Sequence, residues 1–505
     1  MVLNGLRICW GKKVRGSRRL ECGEEVDDPR VVEETMRLIN EFLSRVEKHR
    51  AILFSNSTTP FDEPIRALSN WLREIRVKIE ESSNENITNL RRAMLDAGEK
   101  TLELLNQARE KWLSTYRREL EELISKLKSE EVRIIISGEP FNKNKSFVAH
   151  FYTESLTIYL ERVAKTESIT ITLRLNGLRG TYISVPILFS GNTLRAMQYG
   201  LLLTDGSISK DRYPEMGTNQ LWQVITWLSA WPRKNHMRIR GVSINDNGIN
   251  IMWNLMAINH RGTLKSKTEV VKEASKLNNE DFLIFLLFAI LGDGSVDIKM
   301  KTVKLSMSEI KRKTWDNLIE ILKDLKFREK NEGHLIGYKV CPSKAVELVS
   351  RILSDTLIKA LFEDLSLLPD AEKLRRLITL ASMKVKPRGW SSIEVAGIKM
   401  TVSVNDIGHV ELKAVRKDYE AVLETLKNAG YDAELSRRGK RYVVYMGIDV
   451  IRKYPELVSK VCEVLRRTHE EAASEGKERR AKAITRAMER LNCPTQSPRA
   501  KNHHT

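Results

Sequence analysis

The first long stretch of the chain has a helical pattern of apolar and polar positions. Residues 31–130 contain almost no Pro or Gly, and Leu113, Leu120 and Leu127 follow one another at heptad spacing. Leucines at this spacing form a stripe along one side of a helix. The pattern predicts a helical hairpin or short coiled coil over residues 1–130, which forms an arm for packing or self-association rather than for chemistry.

At Val132 the pattern changes to runs that are rich in β-branched residues. The segments VRIIIS, SITITLRL and TYISVPILFS predict strands. They indicate a β-rich connecting subdomain over residues 131–190.

The order of predicted elements becomes regular from residue 191 and then repeats. The helix TLRAMQYGLLL is followed by turn-rich sequence, the helix LWQVITWLSAW and the strands MRIRGVSI and INIMWNLMA. The helix DFLIFLLFAIL, with Asn278 as its predicted N-cap, begins a second series of the same kind. Residues 191–368 are thus predicted to form two tandem units of order αββαββα, in a protein of the α+β class.

The same order of elements occurs a third time in residues 369–468. Two interpretations stay open for this region: a third, degenerate copy of the unit that extends a nucleic-acid surface, or a generic α+β domain. Residues 469–505 predict a basic helix, exposed to solvent, and a flexible tail.

Charge narrows the choice of partners. The 505 residues include 85 Lys and Arg against 66 Asp and Glu, a formal net charge of +19. This balance favours a polyanion such as nucleic acid, although a generically basic protein has the same composition.

The five cysteines show no C-x-x-C or Cys/His ligand spacing. We therefore predict neither a zinc site nor a disulfide framework, and a reducing intracellular compartment. The N-terminus has no apolar segment long enough for a signal peptide, and the apolar run at residues 282–291 is about half a membrane span. We expect a soluble, cytoplasmic protein that does not contact a membrane.

The two repeated apolar helices end in the same three residues, Asp-Gly-Ser, which contain Asp205 and Asp293. Gly after a helix is the usual left-handed stop. Asp at this position faces the negative end of the helix dipole, which is unfavourable by several tenths of a kcal/mol. A cationic partner is therefore expected near each Asp.

The two Asp residues come close together if the helices pack side by side, which the small residues Gly200, Ala289 and Gly292 favour. Two carboxylates about 4 Å apart repel by roughly 4 kcal/mol at an effective dielectric constant of 20. A shared divalent ion relieves this repulsion and can place a water against a phosphodiester. The alternative is two ordinary Asp-Gly turns at the ends of buried helices.

The stretches QYGLLLTDG and LFAILGDG, with the element order after each, resemble the LAGLIDADG homing endonucleases in their double-motif, single-chain form. The resemblance implies that Asp205 and Asp293 bind catalytic Mg²⁺ or another divalent cation. It also implies that the motif helices form the interface between two halves, whose sheets make a pseudo-twofold saddle over DNA. The family uses a lysine on the strands to assist the water network, for which Lys339 is the candidate.

The sequence departs from the family pattern at three positions. Leu203 and Leu291 replace the earlier acid of each motif, and Phe288 stands where a small residue is expected. A protein that keeps the fold but has lost cleavage is therefore an alternative. The motif pair and the C-terminal third also resemble the crenarchaeal paralogous-repeat (PaRep) proteins, which implies a mobile or multiplied gene more than an activity.

The strands after each motif carry basic residues in alternation. Arg238 and Arg240 share one face of MRIRGVSI, Lys299 and Lys301 alternate with apolar residues in VDIKMK, and Lys304 lies on the next strand. A β-ribbon with such side chains fits the DNA major groove, although most alternations of this kind are only solvated faces. We predict that these five residues contact DNA.

These features together predict a site-specific DNA endonuclease that hydrolyses phosphodiester bonds of double-stranded DNA with a divalent metal held by paired Asp residues. The alternative is a catalytically inactive DNA-binding protein or regulator derived from a mobile element. A structural protein built on the N-terminal helices is a third hypothesis.

Overall fold

A computed structural model of the protein describes residues 7–17, 19–129, 131–333, 335–384, 389–439, 441–474 and 476–494. The protein is of the mixed α+β class, as the sequence predicted. Its chain divides into two compact units, Met1–Lys384 and Val385–Thr505. The sequence divisions at residues 130 and 190 lie inside unit 1.

In its described residues, the first part of unit 1 contains seven strands and five α-helices. Its elements are β1 (Arg7–Lys13), β2 (Leu20–Glu25), α1 (Pro29–Lys48), α2 (Arg50–Leu53), α3 (Asp62–Glu80), α4 (Glu85–Lys111), a π-helical turn (Trp112–Tyr116), α5 (Arg117–Lys128), β3 (Arg133–Gly138), β4 (Phe147–Tyr152), β5 (Leu156–Arg162), β6 (Ile169–Leu175) and β7 (Thr181–Val185).

The second part of unit 1 contains the two predicted αββαββα series. Its elements are α6 (Gly191–Leu203), β8 (Gly206–Ile208), β9 (Pro214–Thr218), α7 (Leu221–Ala230), β10 (Arg233–Asn245), β11 (Gly248–Ala257), a 3₁₀ turn (Ile258–His260), α8 (Lys267–Ala274), α9 (Asn279–Asp293), β12 (Gly294–Asp297), β13 (Thr302–Ser308), α10 (Glu309–Thr314), α11 (Asp316–Asp324), β14 (Phe327–Glu332), β15 (Leu335–Val340), α12 (Pro342–Ile352), α13 (Thr356–Leu365) and α14 (Glu372–Ala381).

Unit 2 is a sheet covered by helices. Its elements are β16 (Ser392–Val395), β17 (Ile398–Val404), β18 (Val410–Ala414), α15 (Tyr419–Asn428), β19 (Glu434–Arg438), β20 (Arg441–Gly447), α16 (Ile448–Arg452), α17 (Pro455–Ser474) and α18 (Glu478–Arg490).

The three series share one order of strands. In the described residues the large sheet of unit 1 has the order β2-β1-β3-β4-β5-β6-β10-β11-β9-β8, and β7 also pairs with β10. Its last four strands, β8-β9-β11-β10, have the same order as the second sheet, β12-β13-β15-β14. In unit 2 the strands β17-β18-β20-β19 have this same order, and β16 lies beside β17. The two interpretations of residues 369–468, a third copy of the unit or a generic α+β domain, stay predictions.

The N-terminal helices include a helical hairpin, in which α3 and α4 pack against each other, and α1 and α4 also contact strands of the large sheet. The Tyr116 hydroxyl donates a hydrogen bond of 2.6 Å to the carbonyl oxygen of Asn176 at the end of β6. Leu120 and Leu127, two of the heptad leucines, are buried in unit 1. These two leucines are therefore covered within the chain, and the role of the helices as an arm for packing or self-association stays a prediction.

The expectation that the cysteines form no disulfides is wrong. Cys9 on β1 is bonded to Cys22 on β2, and Cys462 on α17 is bonded to Cys493. Strand pairing between β1 and β2, and packing of α18 on α17, bring these residues together. Sequence spacing does not show such long-range approach, which is why the pairs were missed.

The basic helix near the C-terminus is also more than a solvated end. Ala483, Ile484 and Ala487 on α18 are buried, and Ile484 and Ala487 belong to the core of unit 2. Their spacing of three and four residues places them on one face of the helix. No helix in the described part of the chain is long and apolar enough to cross a membrane.

Asp364 on α13 ties the N-terminal helices to the remainder of unit 1. Its side chain is fully buried, with Oδ1 2.7 Å from Lys78 Nζ on α3 and Oδ2 2.8 Å from Arg91 Nε on α4. A buried carboxylate between two cations stabilises the fold only as long as all partners are present.

We expect the substitution Asp364→Asn to lower the free energy of unfolding by about 3–5 kcal/mol, because it leaves two partly buried cations without their counter-charge. Chemical denaturation measures the effect. Glu363→Gln is the matched control: Glu363 lies on the same helix, and its exposed ion pair with Lys359, at 3.8 Å, contributes less than about 1 kcal/mol. Equal stability of the two variants would contradict the prediction.

Candidate nucleic-acid interface and paired-aspartate site

The two motif helices, α6 and α9, pack side by side, as the sequence predicted. A Cβ added at Gly200 on α6 would lie only 2.6 Å from the carbonyl oxygen of Phe285 and 2.6 Å from Cβ of Phe288 on α9. Any side chain at position 200 would separate the backbones. Asn278 caps α9 as predicted, since its Oδ1 accepts hydrogen bonds from the backbone N–H groups of residues 280 and 281.

The glycines after the two Asp residues serve a different purpose from the predicted one. Neither Gly206 nor Gly294 has a left-handed φ; each begins a strand, β8 or β12. A Cβ at Gly206 would lie 2.8 Å from Cα of Leu202, and one at Gly294 would lie 2.6 Å from Cα of Ile290. Glycine is required here because the strand turns back closely against the helix that it follows.

Asp205 and Asp293 come together at the ends of the paired helices. A Cβ added at Gly292 would lie 3.2 Å from Oδ2 of Asp205, so the last turn of α9 touches the first carboxylate. Burial raises the pKa of Asp205, and the charge of Asp293 raises it further. Gln223 on α7 donates a hydrogen bond of 2.6 Å from Nε2 to Asp205 Oδ2, which opposes this shift.

Lysines supply the cations that the sequence led us to expect. Lys311 on α10 forms an ion pair with Asp293 Oδ2. Lys373 Nζ on α14 donates hydrogen bonds of 2.7 Å and 2.9 Å to the carbonyl oxygens of Leu291 and Gly292. These carbonyls belong to the negative end of α9, where a cation is most favourable.

A third lysine completes the group around the two carboxylates. Burial lowers the pKa of Lys267 on α8, and the charge of Lys311 lowers it further, while Asp293 and Asp205 oppose the shift. Burial likewise lowers the pKa of Lys373, and the two Asp residues raise it. We name Asp205, Asp293, Lys267, Lys311 and Lys373 the Asp–Lys cluster.

Lysines surround both carboxylates of the Asp–Lys cluster. Three ammonium groups face two carboxylates, so the cluster is not short of positive charge. Among the described residues there is no group of three or more His, Cys, Asp and Glu that could hold a metal ion. Mg²⁺ is usually bound by one or two carboxylates together with several waters. Lys311 would have to leave Asp293 for such an ion to bind, and the predicted metal site stays a prediction.

Lys339, the predicted catalytic lysine, has no described interaction with the Asp–Lys cluster. It is on β15, opposite Lys304 on β13 and Arg328 on β14. Its charge acts on Glu332, whose pKa is lowered first by a hydrogen bond from Lys304 and also by Lys339. Its role in catalysis stays a prediction.

The outward face of the second sheet is basic. Lys304 and Lys339 lie opposite each other, and the neighbouring strand β14 adds Arg328 and Lys330, which are exposed. Glu332 pairs with Lys304 at 2.7 Å and lies 4.0 Å from Lys330. We name Lys304, Arg328, Lys330 and Lys339 the lysine-rich face.

Two of the predicted DNA contacts do not lie on a strand. β12 ends at Asp297, so Lys299 and Lys301 belong to the hairpin turn before β13. Lys301 has a positive φ of 49°, and its Nζ donates a hydrogen bond of 3.1 Å to the carbonyl oxygen of Lys384. The predicted strand alternation is wrong here, because a hairpin needs a turn where the pattern of apolar residues still continues.

Arg238 and Arg240 lie on the open face of the large sheet. Both are exposed, whereas Met237 and Ile239 are buried, as alternation on β10 predicted. The register with β11 shifts between Ile239 and Gly241, which marks a bulge. Nε of Arg238 donates a hydrogen bond of 3.0 Å to Oδ1 of Asn254 on β11.

Two further arginines, which the sequence analysis did not predict as site residues, lie near Arg238 and Arg240. Arg174 on β6 and Arg19 between β1 and β2 line the same cleft as Arg238 and Arg240. The guanidinium of Arg174 lies 4.1 Å from the ring centre of Tyr159 on β5. The alternating segment ITITLRL marks Arg174 as outward-facing, but only strand pairing shows that it lies beside β10.

No family model matches this chain, and no curated protein is similar to it. Among solved structures it is similar to the crystal structure of the N-terminal LAGLIDADG domain of DUF199/WhiA, at 14% sequence identity and a TM-score of 0.24. The match covers 35% of this chain and 89% of that chain. A TM-score this low decides neither the fold nor the function, so the resemblance to the family stays a hypothesis from the sequence motifs.

We expect Gly200→Ala to lower the free energy of unfolding by about 1–3 kcal/mol, because the added methyl group forces α6 and α9 apart. Gly191→Ala, in the first turn of the same helix, is the control: nothing lies within 4 Å of its added Cβ. That change should be neutral or stabilise by up to about 1 kcal/mol. Urea denaturation compares the two variants, and equal stability would refute the close packing at Gly200.

Proposed function

We propose that this protein binds double-stranded DNA through the outward faces of the two sheets in unit 1. In this proposal the two αββαββα series form the halves of a pseudo-twofold saddle, with α6 and α9 as the interface between them. DNA lies across the faces that carry Arg238 and Arg240 in one half and the lysine-rich face in the other.

The observation that carries the proposal is that two sheets with the same strand order both present cations outward. Arg238 and Arg240 lie on the third strand of the first series, and Arg328 and Lys330 lie on the third strand of the second. Arginine and lysine side chains on a β-surface reach DNA phosphates and base edges. The formal net charge of +19 supports the same partner.

The double substitution Arg328→Gln/Lys330→Gln tests this interface. We expect weaker binding to duplex DNA of any sequence. The slope of log K against log salt concentration should fall by about one for each DNA phosphate that the variant no longer binds. Fluorescence anisotropy at several salt concentrations measures both quantities.

Arg118→Gln is the control for the change in charge. Arg118 lies on α5, in the helical layer, with its side chain 72% exposed. The control should bind as the unmodified protein does. A salt-insensitive affinity of the unmodified protein, or equal affinities of the control and the double variant, would oppose the proposal.

A second candidate function is metal-dependent cleavage of DNA at Asp205 and Asp293. The observation in its favour is that the structure brings both carboxylates to one end of the helix pair. Mg²⁺ bound there would supply an activated water and stabilise charge on the phosphodiester. The three lysines weigh against it, so we place DNA binding first.

Thermal unfolding with and without Mg²⁺, together with cleavage of a randomised DNA library, separates the two functions. If the Asp pair binds Mg²⁺, the ion raises the Tm of the unmodified protein but not of Asp205→Asn or Asp293→Asn, and discrete cuts vanish in both variants. If the Asp–Lys cluster is structural, Mg²⁺ has no effect on Tm, and DNA is bound without being cut.

A further inference from the structure

A cleft of about 510 Å³ opens on the outward side of the large sheet. Its walls come from β5, β6, β10 and the connection between β1 and β2, and they include Arg19, Tyr159, Arg174, Arg238 and Arg240. Four guanidinium groups from segments that are distant in sequence thus converge on one space. We name this space the arginine cleft.

The arginines of the cleft lack acidic partners. Within the described residues none of the four forms an ion pair with a carboxylate. Partial burial lowers the pKa of Arg240, and the charges of Arg174 and Arg238 lower it further. The carboxylate of Glu215 acts on Arg240 only weakly, and it accepts a hydrogen bond of 3.2 Å from Ser207 instead. The cleft therefore holds like charges together, and among the described residues no carboxylate forms an ion pair with them.

One donor of the cleft is buried without an acceptor. Nε of Arg174 is inaccessible to solvent and has no hydrogen-bond partner in the described structure. The same guanidinium is held against the ring of Tyr159, and Arg19 lies 5.4 Å from the ring centre of Tyr152. Stacking on a ring fixes the plane of a guanidinium and so orients its remaining donors.

The geometry points to the arginine cleft as a binding site for the phosphate of a nucleotide, with Arg174 and Arg240 as its main ligands. This inference rests on the proposed function and names the chemical group that the open sheet face would bind first. The terminal phosphate of a free nucleotide offers three acceptor oxygens and up to two negative charges, and a phosphodiester in a strand offers two such oxygens and one charge. Both accept parallel hydrogen bonds from planar guanidinium groups.

The size and the walls of the cleft favour a nucleotide over a free inorganic phosphate. Its volume lies within the range of about 300–1,000 Å³ that is usual for small organic ligands. Besides the arginines, the described walls carry the aromatic ring of Tyr159 and the uncharged side chains of Thr157 and Asn176. Aromatic and guanidinium planes stack with nucleobases. The nucleotide is either a unit of a nucleic-acid strand or a free nucleotide.

Arg174→Gln and Arg240→Gln test the site in the full-length protein, with Arg118→Gln as the control. The probes are a single-stranded oligonucleotide of roughly 12 nucleotides, its duplex, and AMP. We expect each cleft variant to bind its ligand about tenfold more weakly than the control does. Without ligand the Tm of each variant should equal or exceed that of the unmodified protein, because the substitution removes repulsion between like charges.

The source of the phosphate follows from which probe responds. If a nucleic-acid strand supplies the phosphate, the oligonucleotide or duplex binds more weakly to both cleft variants, and AMP leaves the Tm unchanged. If a free nucleotide supplies it, AMP raises the Tm of the unmodified protein and of Arg118→Gln but not of Arg174→Gln. Either result supports the site. Equal responses of the unmodified protein and both cleft variants to every probe would overturn it, as would a clear loss of Tm in the ligand-free variants.

Failure of this site is distinguishable from failure of the proposed function. Duplex binding that depends on Arg328 and Lys330 but not on Arg174 or Arg240 would uphold DNA binding and remove the arginine cleft from it. Absence of binding to any DNA, together with a Tm shift by AMP that Arg174→Gln abolishes, would uphold the cleft and remove the proposed function.

Discussion

The structure of unit 1 depends on the close approach of α6 and α9. Only glycine at position 200 allows the backbone of one helix to touch that of the other. This approach places two like charges, Asp205 and Asp293, at one end of a buried helix pair, where the charge of Asp293 acts on the largely buried Asp205. The surrounding chain must therefore supply positive charge, and it does so from three separate segments.

The lysines around the pair connect elements that are far apart in sequence. Lys267 precedes the second motif helix, Lys311 follows the first strands after it, and Lys373 comes from α14, 80 residues after Asp293. Lys373 binds the carbonyls at the end of α9 and Lys311 binds its last carboxylate, so the helix dipole and the Asp charge are compensated separately. The helix pair and its flanking elements are thereby held in one electrostatic arrangement.

The local pattern of apolar and polar residues predicted the element order from residue 191 onward, the cap at Asn278 and the outward direction of Arg238 and Arg240. Each of these features depends on residues that are near in sequence. The turn at Lys299 and Lys301, the disulfides and the position of the N-terminal helices depend on tertiary contacts, and pattern alone missed them. The lysines of the Asp–Lys cluster were missed for the same reason. Only the need for some cation was visible, since the helix dipole requires it at any helix C-terminus that carries an Asp.

The two charged sites of unit 1 differ in whether their charge is balanced within the chain. The Asp–Lys cluster contains its own counter-charges, so a further cation there must compete with lysines that are already in place. The arginine cleft holds several guanidinium groups and a buried donor, and in the described part of the chain no carboxylate pairs with them. Unbalanced charge that is kept in one place costs stability, and the simplest physical reason to keep it is a ligand of opposite sign. This contrast directs the search for a ligand toward an anion on the sheet face rather than a metal between the helices.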